Sequence, residues 1–184
     1  MDSKIKGIVR CEVYNEKWKE EFCRIKSMLL DCIGDLVIGI EHVGSTSVEG
    51  LASKPIIDID LVFKSYDVFP ILVKKLGAIG FRHDGDYGIK DREAFKRDCE
   101  DDFMPYHLYA CPKDSKELLR HISFRDYLRA NPQDRLDYGN LKLELARLYP
   151  NDINSYMAGK HDLIQHIYQK IKDNDMLIER YPNK

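Results

Sequence analysis

The stretch LVIGIEHVGSTSVEGLASKPIIDIDLVF, residues 36–63, decides the fold. It holds two apolar, β-branched runs, 36–40 and 56–63, on either side of a polar segment rich in small residues. Runs this short, rich in Val and Ile and bounded by turn residues, are typical of buried strands rather than helices. We therefore predict two strands joined by a polar connection.

The second run carries two carboxylates on one face. Successive side chains point to opposite faces of a strand, so Asp58 and Asp60 lie on the same side, about 7 Å apart at the backbone. Their repulsion is unfavourable in an apolar sheet unless a cation or hydrogen-bond donors compensate it. Mg²⁺ is usually held by one or two carboxylates together with substrate phosphates. We predict that Asp58 and Asp60 bind Mg²⁺ or Mn²⁺.

The turn after the first run carries only small side chains, at Gly44, Ser45, Thr46 and Ser47. Backbone N–H groups and hydroxyls at a strand end suit an anionic oxygen such as that of a phosphate. A Gly-Ser turn facing an Asp-x-Asp pair would hold a nucleoside triphosphate and its metal ions. We therefore predict Gly44, Ser45 and Thr46 as phosphate-binding residues.

Together these motifs resemble the signature of the nucleotidyltransferase superfamily, in which Gly-Gly or Gly-Ser is followed, after a short spacer, by two carboxylates one residue apart. A longer pattern resembles the GrpB family, a divergent branch of that superfamily: EHVGSTSV at 41–48, Gly50-Leu51 and KPIID at 54–58. Further matches are FRDYLR at 124–129, YGNLKLELA at 138–146, and Tyr156 with Gly159-Lys160. The resemblance runs from about residue 14 to residue 171.

The resemblance implies an α/β (α+β) fold, with a nucleotidyltransferase-like mixed sheet, flanking helices and a C-terminal helical segment. We expect one domain over 1–184, with an α/β core at about 14–112 and the helical segment at about 113–173.

The third predicted strand, 103–111, departs from the family pattern, in which a His-x-His pair is usual. This chain has His107-Leu108-Tyr109 there. If this strand lies beside the Asp-x-Asp strand, His107 points at the same site, where it could act as a catalytic acid or base or bind metal. A hydrogen-bonded structural role is the alternative. The predicted site lacks a third carboxylate. Asp101 and Asp102 precede the strand, but the sequence does not fix the position of either one in the site.

Basic residues are the remaining candidates for ligand contacts. Arg125, Arg129, Lys142 and Lys160 lie in matched helical stretches, and Lys54 precedes the second strand. Opposite a two-carboxylate site, such side chains could hold triphosphate oxygens. We predict phosphate contacts for Lys54, Arg125, Lys142 and Lys160, with surface ion pairs as the alternative for any one of them. The resemblance adds candidate substrate contacts at Arg92, Phe95, Lys96 and Arg97, against the alternative of a solvated hairpin.

Periodicity predicts the other elements. Helices are expected at 16–32 with Asn15 as N-cap, at 68–76, at about 118–128, from Asn131-Pro132 to Pro150 through Leu136 and Leu148, and at about 153–172. A weak strand or a loop is expected at 81–88. Residues 1–10 and 173–184 are expected to be poorly ordered.

Composition excludes several classes of protein. The formal net charge is −2 and the sequence pI about 6.3, which disfavours duplex nucleic acid as the main partner. No apolar run is long enough for a membrane span, and MDSKIKGIVR lacks the apolar core of a signal peptide, so we expect a cytoplasmic protein. Five cysteines form no CxxC pair, and Cys99, His107 and Cys111 match no zinc spacing.

Two functions follow. The first is a metal-dependent nucleotidyltransferase acting on or binding a nucleoside triphosphate, with the acceptor left open. The alternative is a non-catalytic module that binds a nucleotide or another phosphorylated ligand and retains the fold. A role in a toxin–antitoxin pair follows only by analogy with other small nucleotidyltransferase-like proteins.

Overall fold

The structure, a computed structural model, describes residues 8–98, 100–177 and 180–181. Its helices and strands are, in chain order, α1 (Lys17–Ile33), β1 (Val37–Val43), β2 (Ile57–Phe63), α2 (Phe69–Ala78), β3 (Phe81–His83), β4 (Glu93–Arg97), β5 (Tyr106–Pro112), α3 (Lys116–Ala130), α4 (Pro132–Leu148), α5 (Ile153–Gly159) and α6 (His161–Asp173). Short 3₁₀ turns lie at Ser45–Ser47 and Tyr66–Val68.

The five strands form one mixed sheet in the order β1-β2-β5-β4-β3, which confirms the predicted fold class. Only β2 and β5 are parallel. Their register sets His107 opposite Asp58 and Tyr109 opposite Asp60. On the other side of β2, the antiparallel register sets Glu41 of β1 opposite Asp60. The predicted neighbourhood of His107 and the Asp-x-Asp strand is therefore confirmed.

The two faces of β2 differ as alternation predicts. The face without carboxylates is fully buried in the main core, against α1 and α2, and carries Ile57, Ile59, Leu61 and Phe63. The opposite face carries Asp58 and Asp60, and then Val62, which packs in a smaller cluster with Leu118 and Ile122 of α3. Apolar burial at one end of this face and polar groups at the other confine the functional groups to the N-terminal half of β2.

The helical segment differs from the predicted one in two places. The helix expected at 153–172 is two helices, with α5 ending at Gly159 and α6 beginning at His161. Gly159 lies so close to the Leu145 side chain that a β-carbon there would clash, and Lys160 sits at the junction. Asn131 does not cap α4 with its side chain; its Nδ2 donates to the Tyr127 carbonyl. The first turn of α4 begins with Pro132, which has no N–H to be capped.

The apolar residues of α4 and β4 differ in burial. In α4, Leu145 is buried, whereas Leu136 and Leu148 are exposed. Phe95, a candidate substrate contact, is 5% exposed and packs in the main core, and it also lines a cavity between β4 and β5.

The expectation that residues 173–184 are poorly ordered is wrong for Arg180 and Tyr181. The Tyr181 hydroxyl donates to Glu41 Oε1 at 2.6 Å, and Arg180 Nε lies 3.2 Å from the same oxygen. Gly39 of β1 leaves the room for this ring, since a β-carbon there would clash with the Tyr181 hydroxyl. Residues 178–179 and 182–184, and residues 1–7 of the predicted lead-in, lie outside the described residues.

Four of the five cysteines are free thiols, at positions 11, 23, 32 and 111, and Cys99 lies outside the described residues. Within the described ranges, no helix combines the length and the apolar character needed to cross a membrane.

Candidate functional site

The Gly-Ser turn packs directly on Asp58. Gly44 follows β1 with φ of 66°, a conformation that L side chains rarely adopt. A β-carbon at this position would also clash with the Asp58 carboxylate. Both constraints require glycine, and together they bring Ser45 to the edge of the carboxylate face.

Asp58 and His107 form a hydrogen-bonded pair. Asp58 Oδ1 lies 2.8 Å from His107 Nδ1, across the parallel register of β2 and β5. The His107 side chain is 51% exposed, so its second ring nitrogen is within reach of solvent or a ligand. An Asp–His pair of this kind fixes the tautomer and orientation of the imidazole, as in general acid–base sites.

Asp60 is fully buried and paired with a histidine that the sequence did not suggest. Its Oδ2 lies 2.7 Å from Nδ1 of His121 on α3, and His121 Nε2 lies 3.4 Å from Glu117 Oε1. Burial alone would lower the pKa of His121, but the charges and hydrogen bonds of Asp60 and Glu117 outweigh it and raise the pKa to about 10. An imidazolium therefore balances Asp60 at neutral pH. No sequence signal marks His121, which is 61 residues from Asp60 in the chain.

A small cavity of about 190 Å³, which we call the lysine pocket, opens beside Asp58 and His107. Its polar walls also include Ser45, Lys54, Lys142 and Lys160. Two tyrosine rings support the amines: Lys142 Nζ lies 4.4 Å from the centroid of Tyr138, and Lys160 Nζ lies 4.5 Å from the centroid of Tyr156. The amines thus converge from α4 and the α5–α6 junction onto the carboxylate face of β2.

The buried amine of Lys142 contacts the Tyr138 ring but has no hydrogen-bond partner among the described residues. The residue is 2% exposed, and its Nζ makes no hydrogen bond to any part of the chain that the structure describes. Burial, with a contribution from the neighbouring charge of Lys160, lowers the pKa of Lys142 to about 7. Burial and the charge of Lys54 lower the pKa of Lys160 to about 8. The negative charge of Asp58, the one carboxylate among the described residues of the pocket lining, therefore does not offset the burial of these ammonium groups.

Two predicted phosphate ligands lie elsewhere. Arg125 is 2% exposed and holds Glu41 Oε2 and Asp126 Oδ1, each at 2.7 Å. The Thr46 hydroxyl is buried and donates to the Ile56 carbonyl at 3.1 Å, while its oxygen lies 3.0 Å from His42 Nε2. Neither residue lines the lysine pocket. Arg129 is likewise engaged, donating to the Ser47 carbonyl at 2.7 Å.

The carboxylates fit a divalent cation only together with a ligand. Asp60 Oδ1 is buried without a hydrogen-bond partner among the described residues, and the second Asp58 oxygen faces Gly44 rather than His107. In the described ranges, no three His, Cys, Asp or Glu side chains form a metal-binding group. Mg²⁺ commonly takes one or two carboxylates and completes its shell with phosphate oxygens and water. The residues present therefore fit an ion that arrives with a phosphorylated ligand, and not one that the protein holds alone.

Comparison with known proteins places these features in a family. The family model for the GrpB protein matches residues 8–170. The chain is 36% identical over 169 residues to the glutamate-rich protein GrpB of Alkalihalophilus pseudofirmus, covering 90% of this chain and 97% of that protein. It is 35% identical over 153 residues to UPF0157 protein YqkA of Bacillus subtilis, covering 83% of this chain but 44% of YqkA, so it spans less than half of that relative.

Solved structures extend the comparison to the fold. The crystal structure of the conserved protein GrpB from Enterococcus faecalis matches with a TM-score of 0.78 at 30% identity, over 90% of this chain and 98% of that chain. Terminal uridylyl transferase 4 from Trypanosoma brucei, with bound CTP, matches with a TM-score of 0.50 at 14% identity, over 95% of this chain and 58% of that chain. A likeness at this identity shows the fold alone. The chain belongs to the GrpB family and has a nucleotidyltransferase-like fold.

Proposed function

We propose that this protein binds a nucleoside triphosphate, with the phosphates in the lysine pocket. The observation that carries the proposal is the buried amine of Lys142, which has no hydrogen-bond partner among the described residues and faces the same pocket as Lys160 and Asp58. Leaving a buried cation unpaired is costly. A phosphate group would supply the missing charge and accept hydrogen bonds from both amines and from the Ser45 hydroxyl.

The charge pattern favours a polyphosphate. Three lysines and one carboxylate, Asp58, line the pocket, and Asp58 is already bonded to His107. When bound with the ligand, Mg²⁺ would be held by Asp58 and Asp60 and would offset the repulsion between these carboxylates and the phosphate oxygens. The bound CTP of the structurally similar uridylyl transferase supports a nucleotide as the ligand class.

Nucleotidyl transfer is the second candidate, and the Asp58–His107 pair favours it. With Nδ1 bonded to Asp58, His107 can take a proton on Nε2 from an acceptor hydroxyl. The acceptor oxygen would bond to the α-phosphorus while the bond to pyrophosphate breaks. Lys142 and Lys160 would stabilise the charge on the leaving pyrophosphate.

Binding is tested by thermal melting with ATP, GTP, CTP and UTP, each with and without Mg²⁺. Ligand at about 100 times its Kd adds about 2.7 kcal/mol to the free energy of unfolding, a clear shift in melting temperature. We expect Lys142→Met to abolish this ligand-induced shift. Lys74→Met, which removes an exposed lysine outside the pocket, should keep it.

Two outcomes of the melting experiment would contradict the proposal. If no nucleotide and no inorganic triphosphate shifts the melting temperature of the wild type, or if Lys142→Met responds like the wild type, the pocket does not bind phosphate.

Transfer is tested by pyrophosphate release from the nucleotide that binds. We expect His107→Asn to lower turnover by about 10²–10⁴-fold, the usual contribution of a general base, and to keep the ligand-induced melting shift. A wild type that binds nucleotide without turning it over would support the non-catalytic alternative.

A further inference from the structure

A groove of about 550 Å³ lies next to the lysine pocket, and His107 lines both. The groove runs between β4 and β5, where their ladder extends only as far as Phe95 opposite Leu108. Beyond that pair, Lys96 and Tyr106 line the cavity from the two strands. His107 is thus the lining residue that the groove shares with the lysine pocket.

The volumes of the lysine pocket and the groove indicate which part of a ligand each cavity could hold. Pockets for small molecules usually measure about 300–1,000 Å³, so a cavity of about 190 Å³ accommodates only part of such a ligand. The groove has room for the rest, at about 550 Å³. A ligand with its phosphates on Lys142 and Lys160 reaches the groove by passing His107.

The lining of the groove includes an aromatic ring, that of Tyr87, which is more than half exposed. Tyr87 is 55% exposed, with a φ of 51° that non-glycine residues seldom adopt. Its hydroxyl donates to Asp84 Oδ2, and the same oxygen pairs with Lys96 Nζ at 2.6 Å. Lys96 Nζ in turn lies 5.5 Å from the centroid of the Tyr87 ring. These contacts hold an exposed ring in place, as expected of a stacking surface.

We infer that the groove between β4 and β5 binds the nucleobase of the nucleotide, stacked on Tyr87, while the phosphates occupy the lysine pocket across His107. This inference rests on the proposed function and assigns a site to the nucleobase, for which the lysine pocket has no room. Base–aromatic stacking tolerates any base, because every base has a π face. The groove therefore distinguishes nucleotides from inorganic polyphosphate more strongly than one nucleotide from another.

The test compares ATP with inorganic tripolyphosphate by calorimetry on the full chain. We expect the wild type to bind ATP more tightly than tripolyphosphate. Tyr87→Ala should weaken ATP binding by about 5- to 150-fold, the range for the loss of one base–aromatic stack, and leave tripolyphosphate binding unchanged. Tyr87→Phe keeps the ring and should keep most of the affinity for ATP. Tyr149→Ala, which removes a tyrosine outside both cavities, is the matched control.

The outcomes separate the two proposals. If tripolyphosphate binds and Tyr87→Ala leaves ATP affinity at the wild-type value, the nucleobase does not stack on Tyr87 and only the phosphate site stands. If neither ATP nor tripolyphosphate binds to the wild type, the proposed function fails, and the inference about the groove fails with it.

Discussion

Two basic clusters of the helical segment look alike in sequence and differ in the structure. Arg125 is saturated: Glu41, Asp126 and the His42 carbonyl accept its hydrogen bonds. Lys142 is as buried as Arg125, yet its amine has no hydrogen-bond partner among the described residues. The comparison supports the proposal that Lys142, whose charge the described residues leave unbalanced, contacts the ligand and that Arg125 does not.

The difference also appears in the carboxylates. Burial alone would raise the pKa of Glu41, but hydrogen bonds from Arg125 and Tyr181 outweigh it and lower the pKa. Beside Lys142, Asp58 is partly exposed and bonded to His107, and it leaves the amine unpaired. Arg125 therefore joins α3 to β1, whereas Lys142 lines the pocket that we propose as the phosphate site.

The largest effect is expected from Arg125→Met. The substitution leaves Glu41 buried with much of its compensation removed, and breaking a buried ion pair in this way costs about 3–5 kcal/mol. Urea unfolding measures the loss. A variant as stable as the wild type would show that Arg180 and Tyr181 suffice for Glu41, and would break the contrast between the clusters.

Lys142→Met should have the opposite sign and stabilise the protein by about 2 kcal/mol near neutral pH, because it removes a buried ammonium whose pKa is lowered to about 7. One pKa unit corresponds to about 1.4 kcal/mol, and hydration of the pocket reduces the full value. The same variant should lose phosphate binding. Destabilisation by more than 1 kcal/mol would mean that Lys142 has a structural partner after all.

The stabilisation by Lys142→Met should depend on pH. In the wild type, the folded-state pKa of Lys142, about 7, lies below its ordinary value of 10.5, so the unfolded chain binds more protons between these values. The wild type therefore gains stability as pH rises through this window. The difference between variant and wild type should shrink from pH 7 towards pH 10 in urea unfolding. A constant difference would contradict the lowered pKa.

Anion affinity should fall over part of the same range. Only the protonated amine attracts an anion, so deprotonation of Lys142 near pH 7 and of Lys160 near pH 8 weakens binding. We expect sulfate, whose charge is constant here, to bind about tenfold more weakly at pH 8 than at pH 6. Competition with a nucleotide measures this. Equal affinity at the two pH values would place the bound anion away from Lys142.

The smallest effect is expected from Arg129→Met. This side chain is partly exposed, pairs with Asp126 at 3.3 Å and donates to the Ser47 carbonyl. Exposed ion pairs contribute about 0–1 kcal/mol, so we expect a loss of that size and an unchanged phosphate affinity. A tenfold loss of affinity would extend the ligand site to the Ser45–Ser47 turn and sharpen the boundary between the clusters.

Local pattern accounts for what the sequence predicted correctly. Alternation in 56–63 separated the apolar face of β2 from Asp58 and Asp60, and the matched motifs identified the family and the mixed sheet. His107 was expected near Asp58 on the condition that the strand at 103–111 lies beside the Asp-x-Asp strand, and the parallel pairing of β2 and β5 meets that condition. These features depend on residues close in the chain, or on a topology that the motifs specify.

Tertiary structure decided the rest. It set His121 against Asp60, Arg125 against Glu41, and Tyr87 in the lining of a groove that His107 also lines. Whether a buried charge is paired depends on side chains from distant elements, and the sequence carries no local sign of those distances. The sequence by itself determined the strands, the turn and the family, because these follow from short-range periodicity and spacing. Only the packing of α3, α4 and the α5–α6 junction on the sheet decided which cations pair with carboxylates and stabilise the fold, and which are left, among the described residues, without such a partner at the proposed ligand site.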